Sequence, residues 1–298
     1  MKKLSIEKRA RIVASLVEGN SIRATSRMVD VSQNTVLKLL ADLGEVCVEY
    51  HDRHVRGVHS KRVQCDEIWA FNYCKKANIP ERLKNDPTVG DVWTWAGLCA
   101  DSKLIVSYRV GGRDAGYAWE FMHDLADRLS SRVQLTTDGH SPYLEAVEGA
   151  FGADIDYAML IKLYGSVPEE EKRYSPPKCI GVRVETIQGD PDRGHISTSY
   201  VERQNLTMRM SMRRFTRLTN GFSKKFENHC HAVAIHFMHY NYCRIHRSLR
   251  ITPAMAAEIS DHVWSIEELV GILETKERAD IESGALKRGP YNKKSAIL

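Results

Sequence analysis

The sequence predicts an α/β protein: an all-α helix-turn-helix segment, then a mixed sheet with flanking helices. Three observations lead there. Residues 5–43 place apolar side chains at helical spacing. From residue 63 onward, short β-rich apolar runs separated by turn residues take over. Those runs interleave with helical patterns in the order three strands, helix, strand, helix, strand.

Ser5 can cap a first helix whose stripe is Ile12, Val13, Leu16 and Val17, and Glu18-Gly19-Asn20 ends it. Ser21 starts a second helix over 22–28, and Asp30-Val31-Ser32 makes a tight turn. Ser32 caps a third helix running to about Asp42, with Gly44 closing the block. Ala24 is small where two helices must approach, and Met28, Val31, Val36 and Leu39 supply a shared core. Residues 1–44 therefore have the makings of a helix-turn-helix. Its third helix would expose Gln33 and Asn34, which can pair with adenine edges, and Lys38, which can reach a phosphate. Residues 45–62 are charged, carry His51, His54 and His59, and read as a linker, helical at first.

The strands are expected over 63–71, 92–99, 104–110, 133–137 and 157–163, with Asp101-Ser102-Lys103 turning the second into the third. Helices are expected over 114–129 and 142–151. That order matches the front of a ribonuclease-H-like fold. Residues 165–194 are rich in Pro, Gly and charge and should be largely loop, with one short strand near 181–187. Long helical patterns follow over 199–214 and 223–244, and Thr252-Pro253 opens another helix. The sequence thus divides into 1–44, the linker 45–62, a catalytic domain over 63–250, and a helical, basic tail over 251–298 that is mobile after about Glu274.

The chain has 298 residues and is 43% hydrophobic, enough to bury a core. No apolar run approaches the roughly 18 residues of a membrane span, and no signal peptide follows the basic start. Seven cysteines, none in a Cys-x-x-Cys pair, argue against a disulfide framework or a tetrathiolate zinc site. A cytoplasmic, nucleoid-associated protein is expected. The net charge is +5, and from Arg203 to Arg250 ten Lys and Arg stand against one acid, Glu227. Solvated helix faces usually mix both signs, so that stripe favours a polyanion partner over a solvated face; no membrane and no small-molecule substrate is expected.

Three acids carry the chemistry. Asp66 lies in mid-strand, Asp138 at the end of another strand, and Glu202 early in a helix, with Asn205 and Arg209 on nearly the same helix face. Carboxylates are poor strand residues, so each strand position needs a reason. Two strands and a helix can bring the three onto hard cations, two Mg2+ or Mn2+, which serve an in-line phosphoryl displacement. Each acid also has a local explanation: Asp66 as a strand-edge acid, Asp138 as a turn cap, Glu202 as the partner of Ser199 in a capping box.

Cys65-Asp66-Glu67-Ile68-Trp69, Thr137-Asp138-Gly139-His140-Ser141-Pro142-Tyr143 and Tyr200-Val201-Glu202-Arg203-Gln204-Asn205-Leu206-Thr207-Met208-Arg209 resemble transposases of bacterial insertion sequences of the IS-one class. The likeness continues through Arg213-Arg214-Phe215 to Lys224-Lys225, and Arg23-Ala24-Thr25-Ser26-Arg27-Met28 with Asn34-Thr35-Val36 resembles the helix-turn-helix encoded upstream in such elements. It implies an Asp-Asp-Glu triad of Asp66, Asp138 and Glu202 holding the metals, and a basic role for Arg209, with Arg213 and Arg214 beyond it on the DNA. It further implies recognition of terminal inverted repeats, DNA cleavage and strand transfer, and a homodimer on paired ends. His140 stands where the family leads one to expect Trp. A silent DNA-binding regulator and a nuclease that does not join strands are the alternative functions. His229, His231, His236, His239 and His246 crowd Cys230 and Cys243, but their spacing favours packing or phosphate contact over zinc. Trp69, Trp93, Trp95 and Trp119 are expected in the core.

Overall fold

Serines set the starts of the N-terminal helices. The computed structural model describes residues 4–165, 178–216 and 220–284. In it α1 (Ile6–Val17), α2 (Ile22–Val29) and α3 (Gln33–His54) each follow a serine whose hydroxyl accepts an N–H of the first turn. Asp30, left-handed at φ 52°, turns α2 into α3. Gln33, Asn34 and Lys38 are exposed as expected, and Lys38 pairs with Asp42. The inward face of α2 differs from expectation. The Ser21 cap phases the helix so that Thr25 and Val29 are buried, and Met28 is left 51% exposed.

The third helix, expected to end near Asp42, runs on to His54, a length of 22 residues. The first part of the expected linker is therefore helix. Leu43, Val46, Cys47 and His51 continue its buried stripe. Gly44 is present for contact rather than termination: a Cβ there would lie 2.3 Å from Cβ of His231 on α7 (Phe226–Met238). The far end of α3 is tied down by Arg128, whose guanidinium donates to the carbonyls of His51 and Val55 and to Asp52. His51 bonds the Val106 carbonyl through Nε2 at 3.1 Å.

Six strands form one mixed sheet: β1 (Arg62–Asn72), β2 (Gly90–Cys99), β3 (Ile105–Gly111), β4 (Val133–Thr137), β5 (Ile155–Tyr164) and β6 (Cys179–Gln188), in the order β3-β2-β1-β4-β5-β6. The first three are antiparallel, β4 and β5 run parallel to β1, and β6 returns antiparallel. This is the ribonuclease-H-like strand order with one strand added at the β5 edge. Gly97 on β2 leaves room for Phe121 and Leu125 of α4 (Ala115–Arg128). Gln64 pairs with Leu98, the next residue, so it faces the other way. There it accepts the N–H groups of Tyr200 and Val201, at the start of α6 (Ser199–Ser211). Helices α4 and α6 therefore cover opposite faces, and α5 (Pro142–Phe151) packs beside α4.

The C-terminal third departs most from expectation. Helix α7 stops at Met238, and a wider π-type turn spans His239–Cys243. The helix opened by Thr252-Pro253, α8 (Pro253–Ala256), is a single turn. Beyond Glu274, where a mobile tail is expected, α9 (Ile266–Glu282) continues, started by a Ser265–Glu268 capping box and bonded to α1 through Arg9–Glu277 at 3.1 Å. The expected loop over 165–194 holds the ten-residue strand β6; its part over 166–177, like the end of the basic tail over 285–298, lies outside the described residues. No described helix is long and apolar enough to cross a membrane.

Candidate active site

Strand β4 ends at Thr137 while β1 runs on to Asn72. Their register ends at Gln64↔Thr136, and two steps further along it Asp66 would stand level with Asp138. On its β4 side Asp66 has no partner strand, although β2 still pairs with it on the other. Its carboxylate fills in, accepting the Glu67 N–H at 2.9 Å. The opening left by the short strand is a cavity of about 630 Å³ lined by Asp66, Glu67, Asp138, Glu202, Asn205 and Arg209 among others. The three predicted acids thus line one cavity.

They do not all come equally close. Carboxylate oxygens of Asp66, Glu67 and Asp138 lie within 4.8 Å of one another. Glu202 stands apart from that group, held by its own partners: Lys162 Nζ on β5 at 2.5 Å and the buried Thr198 hydroxyl, which donates to it. The capping-box explanation of Glu202 fails here. Thr198, not Ser199, is the N-cap, and Glu202 sits one residue too far along. Asn205, also buried, donates to Asp66 at 2.9 Å and orients it.

Glu67, Arg113 and Lys162 also line the site, though none was expected there from sequence. Arg113 stacks on the Trp93 ring, donates to Glu67 at 3.1 Å and reaches Asp138 at 3.7 Å. Glu67 was recoverable, since the rule that a strand carboxylate needs a reason applies to it as to Asp66. Nothing in the loop at Arg113 signals its role.

The site is short of positive charge. Burial, then the negative charge of Asp138, push both Asp66 and Glu67 up to about 7. Glu67 is buried, with the Tyr143 hydroxyl beside its carboxylate. Carboxylate oxygens crowded together and held out of water are the ligands a hard divalent cation favours, and the residues fit such an ion. Among the described residues this is the one group of His, Cys, Asp and Glu close enough to share a metal.

The other predicted contacts are dispersed. Arg209 lines the acidic cavity and Arg213 is exposed. Arg214 turns inward, donating from Nε to Ser223 at 2.6 Å, and burial lowers it to about 10. Trp95 is buried as expected, whereas Trp119 is 48% exposed over Gly149 of α5.

The histidine-rich segment is packing. His229 and His236 are buried, and burial drives both down to about 3 and His51 to about 4. Each has a folded-state pKa below its unfolded one, so its contribution is present above about 6.5 and is lost as pH falls toward those values. The loss is about 1.4 kcal/mol per pH unit for each histidine. Asp66 and Glu67 titrate in the opposite sense, so the measurement uses the Asp66→Asn, Glu67→Gln background. There, urea-unfolding free energy should fall steeply between pH 6.5 and 4; a flat profile would mean these histidines are not neutral in the fold.

No family profile matches this chain, and no curated protein sequence matches it. Among solved structures, a piggyBac transposase synaptic complex with hairpin DNA aligns over 97% of this chain and 75% of its own, at 12% identity and a TM-score of 0.38. That score is too low to establish kinship.

Proposed function

We propose that this chain is a transposase of the insertion-sequence type, acting on double-stranded DNA by metal-dependent cleavage and strand transfer. The observation that carries the reading is the meeting of Asp66 and Asp138, from neighbouring parallel strands, with Glu202 from α6, on one open cavity. The sequence resemblance at those same three positions supports it independently.

In this reading Asp66, Asp138 and Glu202 hold two Mg2+ or Mn2+ ions, with Glu67 as a further candidate ligand. Such ions supply Lewis acidity and positive charge for phosphoryl transfer. The chain's own groups do the positioning. Asn205 fixes the Asp66 carboxylate, Thr198 and Lys162 aim Glu202, and Arg113 offsets the charge of Glu67. Residues 1–44, presenting Gln33, Asn34 and Lys38, read element ends as a helix-turn-helix, and 63–250 form the catalytic unit. Synapsis of two ends calls for a homodimer.

The test is strand transfer on a supercoiled plasmid carrying the DNA that flanks this gene, with Mg2+ or Mn2+, comparing wild type with Glu202→Gln. Joined products from wild type and at least a hundredfold fewer from the variant are expected. Cleaved but unjoined DNA favours a nuclease; bound, uncut DNA favours a silent regulator.

Glu67→Gln tests whether Glu67 joins the triad as a ligand. If Glu67 belongs to the metal set, calorimetric Mn2+ affinity falls by about tenfold or more. Affinity unchanged in Glu67→Gln but reduced in Glu202→Gln restricts the set to the original triad.

A further inference from the structure

Helix α6 has a second cavity on its other side. Glu202, Asn205 and Arg209 line the acidic one; Tyr200, Arg203, Gln204 and Thr207 line a cavity of about 520 Å³ closed by the turn after β2 and by residues 244–250. Five cations face it: Lys103, Arg203, Arg244, Arg247 and Arg250. No Asp or Glu among the described residues lines it, and none of the five cations forms a salt bridge among them.

Three further features mark the cavity as built. Gln204 is 2% exposed and its Nε2 donor has no partner. Lys103 is 8% exposed, its ammonium over the Tyr200 ring at 3.4 Å. Lys103 at φ 62° and Arg250 at φ 64° are two of the five non-glycine residues held left-handed among those described. Such backbone strain persists where the surroundings impose it, and it collects at binding sites. The cationic field also shows at His246, which burial and then Lys103 and Arg244 push down.

We propose that this basic cavity grips consecutive backbone phosphates of DNA, holding the duplex across α6 while the acidic cavity acts on it. Unpaired arginines in a fork geometry suit phosphate oxygens, and a buried amide donor adds a neutral contact. The inference rests on the DNA-joining reading, but its test does not need catalysis.

The experiment is fluorescence anisotropy of a labelled duplex across a salt series, in EDTA, comparing wild type with the triple variant Arg203→Gln, Arg244→Gln, Arg247→Gln. All three side chains are exposed, so the fold should survive, and a thermal melt checks it. Binding at low salt should weaken at least tenfold. The slope of log affinity against log salt should shrink by about one per lost phosphate contact, so by two to three. Arg82→Gln, Lys84→Gln and Arg183→Gln together remove the same three charges outside the cavity and control for total charge; an equal loss there overturns the proposal, as does an unchanged slope in the Arg203, Arg244 and Arg247 variant. Inorganic pyrophosphate is the second probe. Tight pyrophosphate binding that needs these arginines, with DNA binding unaffected, overturns the DNA assignment. Normal DNA binding by the variant alongside cleavage by wild type sinks the cavity alone. A reduced slope with no cleavage in any sample sinks the enzyme alone.

Discussion

Asp66→Asn should slow metal-dependent DNA cleavage by more than about a hundredfold and weaken Mn2+ binding in parallel. Loss of a partner that merely orients a ligand already costs about 10- to 100-fold, so loss of a ligand should exceed it. Asp66 lies close to Glu67 and Asp138, is bonded to Asn205, and feels the charge of Glu202. The substitution keeps size and shape, so the Glu67 N–H can still find an oxygen. Duplex binding in EDTA should be unchanged or slightly tighter, because a negative charge has left the cavity. Cleavage within tenfold of wild type would remove Asp66 from the chemistry and take the two-metal reading with it.

Gly44→Ala offers the sharpest conflict between local rule and tertiary contact. In an exposed helix, alanine is more favourable than glycine by about 1 kcal/mol. Here the added Cβ would lie 2.3, 2.7 and 2.8 Å from Cβ, Cα and Cγ of His231. Two of those atoms cannot swing aside by a rotamer change, so α3 and α7 must separate. Overpacking of this kind costs about 3 kcal/mol or more and outweighs the propensity gain. The melting temperature should drop by about 6 °C or more. A rise instead would show that the α3–α7 contact is looser than described.

The sheet was legible because its strands are short, β-rich and bounded by turn residues. Residues 133–137 and 142–151 are strand and helix as expected. Asp66 and Asp138 were legible for a related reason: carboxylates at strand positions stand out against a strongly apolar background. The misses share a cause. Gly44 carries the same local signal whether it ends a helix or admits a neighbour, and only the location of His231 decides. Met28 and Thr25 exchange places because a cap one residue away sets the helical phase. The partners of Glu202 come from β5 and the N-cap, and Arg113 reaches Glu67 from 46 positions away, so no local pattern could report them. Helix α9 reads as a charged tail until Glu277 finds Arg9.

The unbroken course of α3 has a mechanical consequence. At 1.5 Å per residue its 22 residues make a strut about 33 Å long. One end presents Gln33 and Asn34 to solvent; the other is clamped by Arg128 and by the His51 bond to β3. A helix so anchored resists bending, so a torque applied at Gln33 arrives at the root of β3 and α4 rather than being absorbed by a flexible joint. Whatever docks on the tip is thereby set at a fixed distance and bearing from the end of the strut that meets the sheet, and adjusting that distance would require the docked body, not this lever, to deform.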